Sequence, residues 1–338
     1  MSAGESRARY RAAGVDVAEG ERAVARYQAL VSATRPEVMA GIGGFYGAFR
    51  LADDTTLVAG ADGVGTKVLL AAESGIYDTV GRDVVAMNVN DILTAGAEPL
   101  FFLDYLAVGR LDAEVAARVV AGVDAGCREA GCALLGGETA EMPGVYRPGH
   151  LDLAGFAVGR ILTDRVKPPP VRPGLQIVGL ASSGFHANGY SLIRRMLRDH
   201  RIDLADPCPG SVRTWGEELL EPTRIYVRPV LAWIRRYGIA AMAHVTGGGL
   251  AANLARVLDG YGARLVRQAL PIPVAMQALM TIGGLEEDEM RQVWNGGVGY
   301  CLVAPEEEAA SLVGEARAVG WEAAAIGVVT EDPELLWV

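Results

Sequence analysis

Apolar residues recur along the chain with helical spacing in some segments and as short continuous runs in others. Val80, Val84 and Met87 lie on one face of a helix predicted over 78–95, whereas the apolar run at 99–108 predicts a buried strand. The same patterns predict helices over 16–34, 111–130, 222–236, 250–258 and 306–319, and a helix that follows residues 182–189 and continues through Arg198. They predict further strands over 56–59, 132–135, 176–180, 241–245, 299–303 and 323–329.

Helices and strands are mixed in both halves of the chain, which predicts an α+β fold class. The segment KPPPVRP at 167–173 has four prolines in seven residues, so it cannot continue a helix and it stiffens the chain. We therefore predict a linker at 167–173 that joins an N-terminal domain, residues 1–166, to a C-terminal domain, residues 174–338.

Glycine content and net charge narrow the possible partners. The chain has 43 glycines among 338 residues, and its formal net charge is −10. The glycines predict many sharp turns, and the negative charge provides no extended positive field for a phosphate backbone. A nucleic-acid partner is therefore not expected.

The sequence carries no signal for secretion or for a membrane. Residues 1–14 have no apolar core behind their arginines, and the uncharged segment 268–285 is interrupted by prolines and glycines. Four cysteines without a CxxC pair are too few for a disulfide scaffold and do not indicate zinc. We expect a cytoplasmic protein with reduced thiols and no membrane partner.

The loop GADGVGTK at 60–67 combines an acid, glycines and a lysine. Its outer glycines have the spacing of a phosphate-binding loop, but Thr66 precedes Lys67, which reverses the order that the standard motif requires. A standard P-loop fold is therefore disfavoured. The loop still offers a metal ligand in Asp62, a point charge in Lys67 and backbone donors freed by its glycines. Taken alone, it is also typical of a surface turn.

Two further acids change that interpretation. Asp91 lies on an otherwise apolar predicted helix, and a buried carboxylate is costly unless it is paired or binds a metal. Glu138 follows Gly136 and Gly137 at the end of a predicted strand. Each acid singly is compatible with a structural role, but three acids near glycine-rich turns are typical of a magnesium nucleotide site.

The residues around Asp91 also carry a family resemblance. Asp91, Gly96, Ala97 and Pro99 resemble the DxxxxGAxP signature of an ATP-dependent superfamily that contains aminoimidazole ribonucleotide synthetases, formylglycinamidine ribonucleotide synthetases, selenophosphate synthetases and thiamine-monophosphate kinases. Runs spread over about residues 13–330 closely resemble the aminoimidazole ribonucleotide synthetases, also called phosphoribosylformylglycinamidine cyclo-ligases. These runs are AGVDV (13–17), GADGVGTK (60–67), AEPLFFLDYLA (97–107), GGETAEMPG (136–144), SSGFHANGYSL (182–192), EPTRIYV (221–227) and HVTGGG (244–249).

The resemblance implies an N-terminal domain whose strands form a barrel with those of a second subunit in a homodimer, a C-terminal α+β domain, and ATP in the cleft. The family reaction converts formylglycinamidine ribonucleotide and ATP into 5-aminoimidazole ribonucleotide, ADP and phosphate in de novo purine biosynthesis. Its usual mechanism phosphorylates the formyl amide oxygen before the amidine nitrogen closes the ring, because phosphate is the better leaving group. Mg²⁺ is the expected metal, and a need for K⁺ is left open.

The resemblance implies two groups of ligand-binding positions. The ATP-binding group comprises Gly43, Gly44, Asp62, Gly63, Gly65, Thr66, Lys67, Asp91, Gly136, Gly137 and Glu138, of which Asp62, Asp91 and Glu138 are expected to hold magnesium. The ribonucleotide-binding group comprises Ser183, Gly184, His186, Asn188, Gly189, Thr246, Gly247 and Gly248. Glycine amides ahead of the helix at Leu250 are expected to hold the substrate phosphate. The expected catalytic residues are His244, His186 and Lys67.

Alternatives remain open for the histidines and for the function. A neutral imidazole at His244 or His186 suits proton movement near pH 7, but a single histidine is also often a satisfied core residue. A selenophosphate synthetase needs a reactive cysteine in the N-terminal segment, whereas the first cysteine here is Cys127. A nucleotide-binding protein without catalysis would be favoured by the loss of an acid or lysine from the ATP-binding group, and none is lost.

Overall fold

The computed structural model describes residues 11–31 and 35–338 and contains two six-stranded sheets, one in each half of the chain. The first sheet comprises β1 (Val38–Ala40), β2 (Gly47–Ala52), β3 (Thr55–Gly63), β4 (Ala97–Val108), β5 (Ala133–Glu141) and β6 (Leu151–Ile161). Its strand order is β1-β2-β3-β6-β4-β5, and only β4 and β5 run parallel to each other.

Helices cover one face of this sheet. They are α2 (Lys67–Ser74), α3 (Asp78–Leu93) and α4 (Ala113–Ala130), whereas α1 (Val17–Leu30) precedes the sheet in the chain and is mostly exposed. The α3 and α4 backbones approach closely because glycines face each other: a Cβ on Gly81 would overlap with Val119 O, and one on Gly122 with Asp78 O. The close approach places α3 firmly against the sheet, with Val84 and Ile92 fully buried in the core.

The other face of the first sheet is open. Ala61, Phe156, Leu103 and Gly136 form one row across four neighbouring strands on this face. Phe156 is 44 % exposed and Leu135, near the end of the same surface, is 65 % exposed. A sheet face that carries large apolar side chains in water is typical of an interaction surface.

The second sheet comprises β7 (Gln176–Ala181), β8 (Ala241–His244), β9 (Gly262–Leu265), β10 (Val298–Ala304), β11 (Ala323–Thr330) and β12 (Leu335–Trp337), in the order β12-β9-β11-β7-β10-β8. Only β12 and β9 are parallel. Its helices are α5 (Tyr190–His200), α6 (Trp215–Leu219), α7 (Val227–Ile234), α8 (Gly249–Ala255), α9 (Val274–Gly283), α10 (Glu287–Val293) and α11 (Glu306–Ala318). All seven residues of β10 are buried, which explains its continuous apolar run.

The two-domain α+β organisation is confirmed. The first sheet ends at Ile161 and the second begins at Gln176, while the exact boundaries at 166 and 174 stay predictions. The helix predicted over 16–34 ends at Leu30, because Val31 is extended, and residues 32–34 lie outside the described residues, as do residues 1–10. No helix within 11–31 and 35–338 is long and apolar enough to span a membrane.

Several predicted boundaries differ from the structure. β3 continues to Gly63, so Asp62 belongs to the strand rather than to the loop after it, and β5 continues through the glycines to Glu141. Glycines do not end either strand because ladder pairing with the neighbouring strands continues past them. The helix predicted from residue 222 begins at Val227, since Thr223 is occupied by side-chain contacts described below.

Candidate active site

Polar residues of α3 hold the boundary between the two domains. Asn90 Nδ2 donates to the Arg224 carbonyl at 2.8 Å, and Asn90 Oδ1 accepts from the Tyr226 amide at 3.0 Å. Asn88 Nδ2 donates to the carbonyl of Asp62 at 3.1 Å, which ties the end of β3 to the helix. One helix therefore sets the relative positions of the two sides of the site.

Asp91 and His244 meet across this boundary. His244 Nδ1 lies 2.8 Å from Asp91 Oδ1, and the His244 side chain is completely buried whereas that of Asp91 is 16 % exposed. His244 is the last residue of β8 and pairs with Tyr300 of β10, so the sheet fixes its position. His244 Nε2 has no hydrogen-bond partner within the described residues. The pair therefore presents an oriented imidazole with one ring nitrogen available.

Asp62 places a second carboxylate near Asp91. Burial, and to a smaller extent the charge of Asp91, raise the pKa of Asp62 to about 6, against the opposing effects of the Gly63 amide and His244. The Gly63 amide donates to Asp62 Oδ1 at 2.7 Å. Two neighbouring carboxylates fit Mg²⁺, which accepts one or two protein carboxylates and fills its other positions with water and phosphate oxygens.

Glu138 lies apart from these two acids. Glu138 pairs with Tyr105, which shares a row across the sheet with Ala154 and Gly63. Residues in one row point to the same face and successive residues point to opposite faces, so Asp62 faces the helices while Glu138 faces the open side. Three strand spacings, about 14 Å, also separate them. A single chain does not bring the three predicted metal ligands together, and the described residues contain no group of three acids, histidines or cysteines that could hold a metal.

The two glycines before Glu138 have different surroundings. Gly136 lies in the open-face row with Leu103. Gly137 packs against Asp104, whose Oδ1 would overlap with a Cβ at that position. Within one chain, neither glycine reaches Asp62 or Asp91, since both lie on β5 at the far edge of the sheet.

Lys67 has polar partners from both domains. Its ammonium group donates to the carbonyls of His186 and Glu221 at 3.0 and 2.8 Å, and lies 2.7 Å from Asp83 Oδ2. The Lys67 and Asp83 side chains are both completely buried. These three partners surround the ammonium group in the structure without a ligand. Lys67 therefore links the domains, and its predicted contact with the triphosphate stays a prediction.

One oxygen of the Asp83 carboxylate accepts two hydrogen bonds from the second domain. Its Oδ1 accepts from the amide and the hydroxyl of Thr223 at 2.8 and 2.6 Å. Burial is the main influence on Lys67 and lowers its pKa, while the charge of Asp83 opposes that effect. The pair is a buried ion pair that connects α2 and α3 to the second domain through the His186 and Glu221 carbonyls and Thr223.

The remaining N-terminal loops stay close to the second domain. Gly65 has φ +69 and open space around it, and Thr66 Oγ1 lies 3.3 Å from Ser191 Oγ. Gly43 has φ +116, a region that favours glycine, and it precedes Gly44 in the turn before Phe45. The Phe45 ring is buried within the hydrophobic cluster of the second domain. The Gly43–Gly44 turn therefore lies against that domain.

The loop between β7 and α5 holds His186 in a restrained geometry. His186 has φ 61 and is buried, and its Nε2 accepts from the Ser183 amide at 3.2 Å. Burial is the first cause that lowers the pKa of His186 well below its usual range, so the ring is neutral near pH 7. Because Nε2 is the acceptor, the proton lies on Nδ1, which has no partner within the described residues. A Cβ on Gly299 would overlap with the ring, so glycine leaves the necessary space.

The other residues of this loop are fixed by neighbouring elements. Ser183 Oγ donates to the carbonyl of Pro222 at 2.6 Å, and the carbonyl of Gly184 accepts from Asn295 Nδ2 at 2.8 Å. Gly189 precedes α5 with φ 77, and a Cβ there would overlap with the Trp294 ring. The loop is therefore rigid before any ligand arrives.

The segment Thr246–Gly248 between β8 and α8 is organised by Asn253. Asn253 Nδ2 donates to the carbonyls of Gly249, Thr246 and Gly247 at 2.8, 3.3 and 3.4 Å. The Gly247 and Gly248 amides donate no hydrogen bond to any residue the structure describes. A Cβ on Gly247 would lie 3.5 Å from Asn188 Oδ1, so the two predicted substrate loops are neighbours. Bound carbonyls and unbound amides together suit an anion.

The sequence analysis did not identify three residues that hold the site in position: Asp83, Thr223 and Asn253. Asp83 and Asn253 are polar residues on largely apolar helices and are fully buried, the same signal that identified Asp91. Their partners lie on other elements, so the sequence pattern alone names no contact for them.

Family models match both halves of the chain. The AIR synthase related protein N-terminal domain matches residues 43–161, and the AIR synthase related protein C-terminal domain matches residues 172–337. Structural similarity agrees: the structure of AaThiL complexed with AMPPCP and TMP aligns with a TM-score of 0.63 and 18 % identity, covering 88 % of this chain and 87 % of that chain. At that identity the likeness concerns the fold.

Curated relatives are much more similar. The phosphoribosylformylglycinamidine cyclo-ligase of Nitrosospira multiformis is 48 % identical over 332 residues, which cover 96 % of this chain and 93 % of the relative. The enzyme of that name from Desulfitobacterium hafniense strain DCB-2 is 46 % identical over 332 residues, covering 96 % and 97 %. The two-domain fold, with acids on one side of the cleft and glycine loops on the other, is that of the ATP-utilising AIR synthase related proteins. Within that class, the chain belongs to the phosphoribosylformylglycinamidine cyclo-ligase family.

Proposed function

We propose that this chain catalyses the ATP-dependent ring closure of formylglycinamidine ribonucleotide to 5-aminoimidazole ribonucleotide, with release of ADP and phosphate. The observation that carries the proposal is the Asp91–His244 pair, which joins an acidic N-terminal side to the glycine loops of the second domain. The 48 % identity to a cyclo-ligase over nearly the whole chain supports the same reaction.

ATP is assigned to the N-terminal side of this cleft. Asp62 and Asp91 would hold Mg²⁺, which when bound neutralises phosphate charge. The Gly43–Gly44 turn and the loop with Gly63, Gly65 and Thr66 would approach the phosphates through their backbones. Phosphoryl transfer depends mostly on positioning and charge neutralisation, so these groups suffice for that part of the reaction.

The ribonucleotide is assigned to the loops of the second domain. The Gly247 and Gly248 amides would hold its phosphate, while Ser183, Asn188 and the rest of their loop would hold the sugar and amidine. His186 offers a neutral N–H donor at Nδ1, and His244 offers Nε2 to accept a proton while Asp91 stabilises the resulting charge. Transfer of the γ-phosphoryl group to the formyl amide oxygen, attack by the amidine nitrogen and loss of phosphate then complete the ring.

The test compares phosphate release from ATP in the presence and absence of formylglycinamidine ribonucleotide, with detection of the aminoimidazole product. We expect substrate-dependent release with one product ring formed per phosphate. Phosphoryl transfer to thiamine monophosphate instead, or ATP binding without release in either mixture, would contradict the proposal, since these are the outcomes for a kinase and for a silent nucleotide-binding protein.

We also propose that a second copy of the chain covers the open face of the first sheet, in a homodimer. Support comes from the exposed Phe156 and Leu135 on that face and from the position of Glu138 there, away from the acids of its own chain. A closed barrel also removes exposed strand edges.

Light scattering at micromolar concentration tests this assembly. We expect about twice the chain mass of 35.6 kDa, and conversion to monomer by Phe156→Asp. Val212→Asp is the matched control, because Val212 is fully exposed in a loop of the other domain. A monomeric wild-type protein would exclude the dimer.

A further inference from the structure

A second, separate cavity of about 340 Å³ lies between α2 of the first domain and α5 of the second. Its apolar wall includes Leu70 and Leu197, and three arginines line it: Arg194 and Arg198 from α5 and Arg201 directly after that helix. No residue of this cavity belongs to the predicted ATP or ribonucleotide groups.

The three arginines are not held in ion pairs by the residues that the structure describes. Neither Arg194, Arg198 nor Arg201 forms an ion pair within the described residues, and Arg194 Nε is buried without a hydrogen-bond partner. Their neighbour Arg195 differs, because it pairs with Asp199 on the same helix and does not line this cavity. An unpartnered buried N–H group costs free energy, so this cluster is incomplete as it stands.

The arginines also repel one another. Arg194 and Arg198 are four residues apart on one helix face, a spacing at which like charges destabilise. Burial lowers the pKa of Arg194, Glu73 raises it, and the charge of Arg198 lowers it again. A tetrahedral anion between the guanidinium groups would remove both the repulsion and the missing hydrogen bond.

Capping of α5 does not explain the cluster. The Arg198 carbonyl accepts from the Arg201 amide at 3.2 Å, and the Leu197 carbonyl accepts from the Ile202 amide at 2.9 Å. The backbone therefore satisfies the helix end without the side chains. Arg201 itself has φ 55, a region that side-chain-bearing residues seldom adopt, and this conformation directs the chain around the cavity.

Two carboxylates also line the cavity, Glu73 and Asp203. Asp203 Oδ1 accepts from the Ala205 amide at 2.9 Å, so this carboxylate is engaged in its own turn. Glu73 is exposed on α2. Three guanidinium groups against two carboxylates leave the cavity net positive.

We propose that this cavity binds a small phosphoryl-bearing anion, with Arg194, Arg198 and Arg201 as its donors. The site is distinct from the candidate active site, because Glu73 lies six residues, about 9 Å, along α2 from Lys67. A phosphoryl group is favoured over a carboxylate because its tetrahedral oxygens offer acceptors in several directions to separate guanidinium groups.

The bound anion would connect the two domains. α2 begins directly after the loop that contains Thr66, and α5 begins directly after Gly189 of the substrate loop. Thr66 and Ser191 already touch at the active-site ends of these helices. An anion at the cavity therefore adds a second connection between the same two helices, one to two turns further on.

Calorimetric titration of inorganic phosphate into the full-length protein tests the site. We expect Arg194→Gln and Arg198→Gln each to weaken phosphate binding at this site at least tenfold. Arg195→Gln, the matched control on the same helix but outside the cavity, should leave it unchanged. Arg198 is exposed, so its variant keeps the fold even if Arg194→Gln does not. Because active-site loops also bind phosphate, the difference between Arg198→Gln and Arg195→Gln is the criterion, and equal affinities in these two variants overturn the proposal.

Two further measurements decide the ligand class and the location. Malonate, a dicarboxylate, should bind at least tenfold more weakly than phosphate, and equal binding would overturn the preference for a phosphoryl group. Crystals soaked in selenate should show an anomalous peak among the three guanidinium groups. A peak there combined with unchanged solution affinity in Arg198→Gln means an adventitious ion only and overturns the proposal, as does the absence of a peak.

Discussion

Two charged pairs lie at the same domain boundary, and they are built in opposite ways. Lys67 and Asp83 both belong to the first domain and contact the second, whereas Asp91 and His244 face each other across the boundary. Lys67 and Asp83 are both completely buried, and the lysine contacts two backbone carbonyls and the Asp83 carboxylate. His244 is equally buried, but its Nε2 has no partner among the described residues, and Asp91 remains partly exposed beside Asp62. The first pair is completely enclosed, whereas the second leaves a ring nitrogen and a partly exposed carboxylate available to a ligand.

The surroundings of a charged residue distinguish a structural role from a ligand-binding role better than its residue type does. A lysine after a glycine loop suggests a phosphate contact, yet its surroundings here make it a link between domains. Buried ion pairs contribute little net stability, but removal of one partner leaves an uncompensated charge. A pair with an unbonded ring nitrogen, next to a second carboxylate, is instead where binding of a substrate or metal lowers the free energy.

Replacement of Lys67 tests the supporting pair and should have the largest effect. Lys67→Met leaves Asp83 charged and buried, so we expect a loss of about 3–5 kcal/mol in the free energy of unfolding by urea titration. The double variant Lys67→Met/Asp83→Asn should recover part of this loss, since the amide oxygen that replaces the carboxylate can still accept from Thr223. Lys167→Met, at an exposed lysine, is the matched control. Full stability with lost turnover would instead favour a phosphate contact for Lys67.

Asp91→Asn tests the other pair. The substitution keeps the size of the side chain but removes the charge that orients His244 and attracts magnesium-bound ATP. Turnover should fall by about 10²–10³-fold, while the melting temperature stays close to that of the wild type. Asp53→Asn, at an exposed turn, should change neither quantity. Near-normal turnover at saturating magnesium would show that Asp91 is not a ligand.

The stability of Asp62→Asn relative to the wild type should depend on pH, and this dependence tests the environment of the carboxylate beside Asp91. The pKa of Asp62 in the folded protein is about 6, above the unfolded value of about 3.9. Its stabilising contribution is therefore present when the carboxyl group is protonated and is lost as pH rises through 6. Without ligands, Asp62→Asn should stabilise the protein by about 2–3 kcal/mol at pH 7.5 and by almost nothing at pH 4. A constant difference across this range would contradict the assignment.

Gly247→Ala extends the comparison to the glycine loop and should have the smallest effect. A Cβ there would make only an ordinary contact with Asn188, so the fold is retained, but a methyl group would stand beside the proposed phosphate position. Affinity for the ribonucleotide should fall about tenfold while ATP affinity is unchanged. Gly314→Ala, in open space on α11, controls for the substitution itself. Lost ATP affinity instead would mean that the two phosphate sites are exchanged.

Sequence patterns predicted the elements that carry the site more fully than the contacts within it. The helix predicted over 78–95 is observed at Asp78–Leu93, because its apolar positions keep a helical period over four turns. Asp91 was identifiable since an acid interrupts that period. The partners of Lys67 could not be predicted in this way, because the His186 and Glu221 carbonyls lie 119 and 154 residues further along the chain and no local pattern indicates them.

Glu138 illustrates a second kind of limit. Whether it shares a face with Asp62 depends on the register of three strand pairs, β3 with β6, β6 with β4 and β4 with β5. A shift of one residue in any pair reverses the answer. The apolar pattern of one strand indicates which of its faces is buried, but it does not specify the register with the neighbouring strands.

The position of β6 has a consequence for the order in which the molecule folds. β6 (Leu151–Ile161) lies between β3 and β4, so Asp62 at the end of β3 obtains its ladder partner, Gly155, only after more than half of the first 160 residues have followed it. Until then β3 and β4 are separate unpaired edges, and closing so long a loop is entropically costly. During synthesis, the acidic side of the cleft is therefore completed late in the first domain, after α3 and α4 have already been made.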